Sequence, residues 1–152
     1  KSKGRCDLLI IDYLQLCEMK SGQKNRNREQ EVAEASRKAK LIAKELDIPV
    51  ILLCQLNREC EMRADKRPAL SDLRESGAIE QDADVVMLLY RPALYGLTSE
   101  RRSKFPSEGL GMVIPAKHRN GETGDVYFGH NPAMTKIGEY VPPTEWMMRN
   151  AK

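Results

Sequence analysis

A chain of 152 residues with 41% hydrophobic and 31% charged content is long enough for one domain with a real core. Its composition reads as soluble and globular; it has no apolar run near the ~20 residues of a membrane span, and its basic start lacks a signal-peptide apolar core. The net charge of +3, from 25 Lys and Arg against 22 Asp and Glu, permits a nucleic-acid partner without demanding one.

The first predicted element is Leu8-Leu9-Ile10-Ile11, four aliphatics without polar alternation, the pattern of a strand buried on both faces. It stops on Asp12. In open α/β sheets ligands gather at the carboxyl ends of strands, where a carboxylate meets a Mg²⁺–phosphate group. An acid there also closes ordinary turns, and the run alone does not choose between the two.

Val32, Ala35, Ala39, Ile42 and Leu46 recur at three- and four-residue steps and predict a helix over 29–46. Arg37, Lys38, Lys40 and Lys44 lie off that stripe with Glu31, Glu34 and Glu45 and read as a solvated face. Asp47-Ile48-Pro49 stops the helix, and Val50 to Cys54 forms a second all-apolar strand. Strand, helix and strand predict a right-handed β-α-β unit with two parallel strands. Gln55 then ends the second strand at the same edge as Asp12. Its amide can donate and accept at once, as a phosphate sensor must, or it is an ordinary polar strand end.

Residues 58–75 carry five basic and five acidic side chains, so this stretch is no simple basic patch. Ser71 is placed to cap a helix over 72–81, although Gly77 inside it costs ~1 kcal/mol relative to Ala. A glycine at that cost points to close backbone approach by a ligand. Asp84 to Tyr90 predicts a third buried strand, and the Pro-, Gly- and Ser-containing stretch 91–108 an exposed, mobile excursion.

Residues 111–119 and 125–129 predict a hairpin around Asn120-Gly121-Glu122-Thr123-Gly124. Strict alternation sets Val113, Pro115, Lys117 and Arg119 on one face and Ile114, Ala116 and His118 on the other. Two cations then project side by side, suited to a phosphate or carboxylate, or simply solvated. His118 reads as a packing residue. The segment after His130 has no period, and Trp146, Met147 and Met148 either dock on the body or meet a neighbour. Cys6, Cys17, Cys54 and Cys60 form no CxxC pair and lie far from both histidines, which predicts reduced thiols and no structural metal.

Four stretches now stand in one order: LLIIDYLQL (8–16), VILLCQLNR (50–58), DKRPALSDLRESGAIEQDADVVMLLYR (65–91) and KHRNGETG (117–124). Together they closely resemble the C-terminal half of the RecA-like motor domain of DnaB-type replicative DNA helicases. The resemblance spans roughly residues 5–138, is weak in the excursion and is absent from the last dozen residues. It implies an α/β fold of partial RecA-like (P-loop NTPase) type, a mostly parallel sheet flanked by helices with a C-terminal β-hairpin. The domain division it implies is 1–138 for the motor portion and 139–152 for a tail.

The resemblance also assigns roles. Asp12 matches the Walker B aspartate that holds Mg²⁺, and Gln55 the glutamine near the γ-phosphate of ATP. Lys117 and Arg119 match the pair that reaches the neighbouring subunit's ATP site, Arg119 as its arginine finger. Arg74, Glu75 and Gly77 match the loop that grips single-stranded DNA by its phosphates. The implied whole is a cytoplasmic, ATP-driven homohexamer at the replication fork, with a primase and a helicase loader as further partners. Alternatives are a RecA- or RadA-like recombinase, a circadian-type ATPase, and a non-enzymatic DNA-binding module.

One departure stands out. The family's GxxxxGK[ST] phosphate loop and its strand do not occur in these residues, so the chain reads as Walker B onward and is expected to lack ATPase activity alone. In the RecA-like fold that strand lies between those at 50–54 and 84–90. Its absence predicts that those two strands close up directly or that another chain covers the gap.

Overall fold

The computed structural model describes residues 4–12 and 28–150, with the side chains of residue 28, residues 74–76 and residue 150 outside the description. The chain divides into two compact units, Lys1–Asn57 with Leu73–Ala83, and Arg58–Asp72 with Asp84–Lys152.

In the first unit β1 (Leu9–Ile11) pairs in parallel with β2 (Val50–Leu52), in register Leu9 to Val50, Ile10 to Ile51 and Ile11 to Leu52. The helix between them, α1 (Arg28–Leu46), has the expected extent and carries Glu29 and Glu31 in its first turn and Lys44 in its last, complementing the helix dipole. Its stop is a left-handed residue at the helix end: Asp47 has φ 51°, and Ile48 N–H bonds back to the Ala43 carbonyl at 3.1 Å. That six-to-one bond satisfies one of the last helical carbonyls, and Pro49 beyond it prevents continuation.

Val32 and Ala35 of α1 and Ile79 of α2 (Gly77–Asp82) form a buried cluster, with Leu52 and Cys54 packed on it. Burying an aliphatic side chain of this size contributes ~1.5–3 kcal/mol. Ser36 Oγ donates to Asp82 Oδ2 at 3.1 Å and ties the two helices. Only one face of the strands is covered in this way, and Leu8, Ile10, Ile51 and Leu53 are exposed. The expectation of strands buried on both faces is therefore corrected: among the described residues of this unit, helices pack on one side only.

In the second unit β3 (Val85–Tyr90), β4 (Leu110–His118), β5 (Val126–His130) and β6 (Ile137–Glu139) form an antiparallel meander in chain order. The α/β class holds, but among the described residues parallel pairing is confined to β1–β2, where a mostly parallel sheet was expected. The sheet's inner face is built from Val86, Leu88 and Tyr90 opposite Lys117, Ile114 and Met112. The outer face leaves Met87 and Leu89 exposed at 62% and 69%, so β3 too is one-sided. β2 and β3 belong to separate sheets, β2 beside β1 and β3 beside β4.

The stretch 91–108 is not a bare excursion. Glu100 is 1% exposed, and its Oε2 accepts bonds from Arg102 N–H (2.9 Å), Ser103 N–H (2.6 Å) and Ser103 Oγ (2.8 Å). Its Oε1 lies 3.5 Å from Nη1 of Arg67, whose Nη2 donates to Asp125. Phe105 sits among the rings of Tyr127, Tyr140 and Trp146, at centroid distances of 5.1, 5.4 and 5.0 Å. Trp146 belongs to α3 (Thr144–Asn150), so α3 docks on 91–108 through it, while Met147 and Met148 remain exposed. No helix among the described residues is long and apolar enough to cross a membrane.

Candidate functional site

The β1–β2 register decides what stands at the first candidate site. Ile11 lies opposite Leu52, and Leu53 N–H donates to the Ile11 carbonyl at 2.9 Å. Asp12 and Gln55 therefore leave the parallel pair at the same carboxyl edge, and both are exposed. A carboxylate at such an edge offers the hard oxygen that Mg²⁺ takes, and an amide beside it can bond a phosphate oxygen. Among the described residues no disulfide joins Cys6, Cys54 and Cys60, and Cys17 lies outside the description.

The two cations of the second candidate site lie at the far end of β4, where the ladder is irregular. Met87 faces Pro115 and Val86 faces Lys117, which leaves Ala116 as an extra residue in β4. A proline lacks the N–H that a central strand needs, and bulges are where sheets admit one. The extra residue reverses the facing of everything after it. Lys117 thus shares a face with Val86 and Ile114 and is half-buried, whereas strict alternation had put it with Val113 and Pro115.

Arg119 follows the last ladder pair, Val85 with His118. Its backbone N–H donates to the Asp84 carbonyl at 2.8 Å and its Nη1 to Asp84 Oδ1 at 2.8 Å. The second strand of the hairpin, β5, pairs with β4 only as far as Val126 opposite Val113. The end of β4 and residues 119–125 therefore extend beyond that pairing. His118 is exposed and folds over this turn, its Nδ1 3.1 Å from the Glu122 carbonyl. A Cβ on Gly121 would come within 2.2 Å of the His118 ring, so a larger residue there would push that exposed ring aside. His118 braces a loop where core packing was expected.

The third set is only partly visible. Arg74 and Glu75 lie in a 3₁₀ stretch, Leu70–Ser76, that kinks at Leu73 (φ −82°, ψ 17°), and their side chains lie outside the described residues. Gly77 opens α2, so the single helix over 72–81 is corrected to a 3₁₀ turn followed by a short helix. Gly77 is exposed, and a Cβ built on it meets nothing within 4 Å. Among the described residues no contact requires a glycine there. At the start of this stretch the Ala69 N–H donates to Asp72 Oδ2 at 2.7 Å, where Ser71 was the expected cap.

Sequence reasoning missed Asp84, Asp72 and the Arg67–Glu100–Asp125 triad. Asp84 could have been found: an acid just ahead of an apolar strand, set antiparallel to Lys117-His118-Arg119, falls opposite those cations. The triad joins Arg67 to partners 33 and 58 residues away in sequence and leaves no local signal. In the same unit Arg67, Leu88, Arg102, Ile114, Pro115 and Asp125 border an open cavity of about 330 Å³. None of the candidate site residues lines it.

Comparison with known proteins follows the same lines. The model of the DnaB-like helicase C terminal domain matches residues 1–139. The replicative DNA helicase DnaB of Leifsonia xyli is 52% identical over 142 residues, covering 93% of this chain and 29% of the relative. The DnaB of Geobacillus stearothermophilus is 48% identical over 126 residues, covering 83% of this chain and 26% of its own length. Among solved structures, a DnaB-like replicative helicase, described with its interactions with primase, superposes with a TM-score of 0.76 at 42% identity, over 88% of this chain and 31% of that one. A second solved chain, described as an ATPase domain, gives 0.75 at 41% identity, over 88% and 44%. The chain thus spans under a third of the length of these DnaB relatives.

Proposed function

The chain belongs to the DnaB-like helicase C-terminal domain family, and from that premise we propose that it is the Walker B-onward part of a hexameric, ATP-driven replicative DNA helicase. The observation that carries this reading is the parallel β1–β2 pair, which brings Asp12 and Gln55 out at one sheet edge in the family's order. The relatives at 48–52% identity bear the replicative helicase name, which favours this reading over a recombinase.

In the whole protein Asp12 holds Mg²⁺, whose charge offsets that of the ATP phosphates. Gln55 bonds a phosphate oxygen. Lys117 and Arg119 act on a neighbouring subunit's nucleotide, where a guanidinium offsets charge developing on the transferred phosphoryl group; such fingers are worth on the order of 10³–10⁵ in rate. Arg74, Glu75 and Gly77 contact single-stranded DNA, and the bare Cα of Gly77 admits a phosphate close to the backbone. A primase and a loader are the further partners, and the setting is the bacterial cytoplasm at the fork.

The test uses the full-length protein on a forked duplex with ATP. Arg119→Ala is expected to keep ATP binding and ring assembly and to lose turnover and unwinding. Normal hydrolysis by that variant would remove the finger from the mechanism.

A further inference from the structure

Asp84 has no assigned role, yet it makes two bonds to the residue proposed as the finger. It stands just ahead of β3, as Arg119 stands just beyond β4, and the pair extends the ladder by one step past Val85 and His118. The main-chain bond, Arg119 N–H to the Asp84 carbonyl, fixes where the arginine leaves the sheet, and the bond from Nη1 to Oδ1 fixes where its head lies, both at 2.8 Å.

That pairing depends on the bulge. Counting on from Met87 opposite Pro115 without an extra residue would set Asp84 opposite His118. The extra residue, Ala116, advances β4 by one position and delivers Arg119 to the carboxylate instead.

We infer that Asp84 is a positioning residue that sets the plane of the Arg119 guanidinium. The inference rests on Arg119 being the trans-acting finger. An arginine with four side-chain torsions spreads its head over many positions, and a transition state is served only by a head already in place. A carboxylate on one Nη restricts that spread and fixes the plane in which the other N–H groups are presented. The pair is 49% and 55% exposed at its side chains, so it contributes little to stability. Placement of the finger and integrity of the fold can therefore be separated by substitution.

In the full-length protein, Asp84→Ala is expected to lower kcat for ATP hydrolysis by about tenfold, with KM for ATP within about twofold and hexamer content and Tm unchanged. Asp84→Asn, whose amide oxygen still accepts from Nη1, is expected to recover most of kcat. An Asp84→Ala enzyme with undiminished kcat overturns the inference. So does a loss that follows Tm or hexamer content, or one that Asp84→Asn fails to relieve. Failure of the underlying reading looks different: Arg119→Ala itself would then turn over normally. An inactive Arg119→Ala beside a fully active Asp84→Ala would keep the finger and dismiss its guide.

Discussion

Arg63 meets Asp72 edge to edge: Nη1 donates to Oδ1 at 2.9 Å and Nη2 to Oδ2 at 2.5 Å, while Nη2 also reaches the Arg67 carbonyl at 2.5 Å. The carboxylate is nearly buried and the guanidinium is not. Hydrogen bonding to Asp72 raises the Arg63 pKa further, and burial followed by the Asp72 charge raises that of the Cys60 thiol.

Asp72→Ala removes the partner of both Arg63 and the Ala69 N–H. The loss is expected to cost about 2–3 kcal/mol, as for hydrogen bonds to a charged group. It is read as a lower denaturant midpoint at constant slope.

Arg67 is the costlier position. Its side chain is 7% exposed between Glu100 and Asp125. Arg67→Ala leaves two acids without their shared cation, and a loss of about 3 kcal/mol or more is expected. Asp125→Asn keeps an acceptor on a less buried partner and is expected to lose clearly less. Thermal unfolding of the three proteins side by side checks the order.

Burial, aided by the Asp65 charge, pushes the Tyr90 phenol up to about 12. The unfolded phenol ionises near 10, so the folded state holds the proton longer, and stability present below pH 10 is lost as pH rises toward 12. The loss is about 2–3 kcal/mol in total. Tyr90→Phe is expected to flatten this fall, and it forfeits the bond from the hydroxyl to the Asp65 carbonyl at 2.5 Å. Unfolding midpoints measured from pH 8 to pH 12 distinguish the two proteins.

Arg74→Ala in the full-length protein is expected to weaken single-stranded DNA binding and to reduce the slope of log K against log salt by about one. An unchanged slope removes Arg74 from the phosphate contacts.

The first half of the fold was legible because its signals are local. The stripe from Val32 to Leu46 and the stop at Asp47-Ile48-Pro49 placed α1, and the aliphatic runs placed β1 and β2. Burial on both faces was not legible, because it depends on what packs from elsewhere. Alternation along β4 failed at Pro115, where one unpaired residue turned Lys117 to the other face. Of the proposed site, the edge shared by Asp12 and Gln55 followed from the strand ends. The clasp between Arg119 and Asp84 follows from cross-strand register, which a linear reading did not supply.

Trp146 is the chain's one tryptophan. Its indole Nε1 donates to the Lys104 carbonyl at 2.9 Å, and its ring packs edge-on against Phe105. The protein therefore carries a built-in optical probe at a single address. Its emission wavelength and quenching report whether the last helix is seated on 91–108, without a label and without disturbing any of the candidate sites.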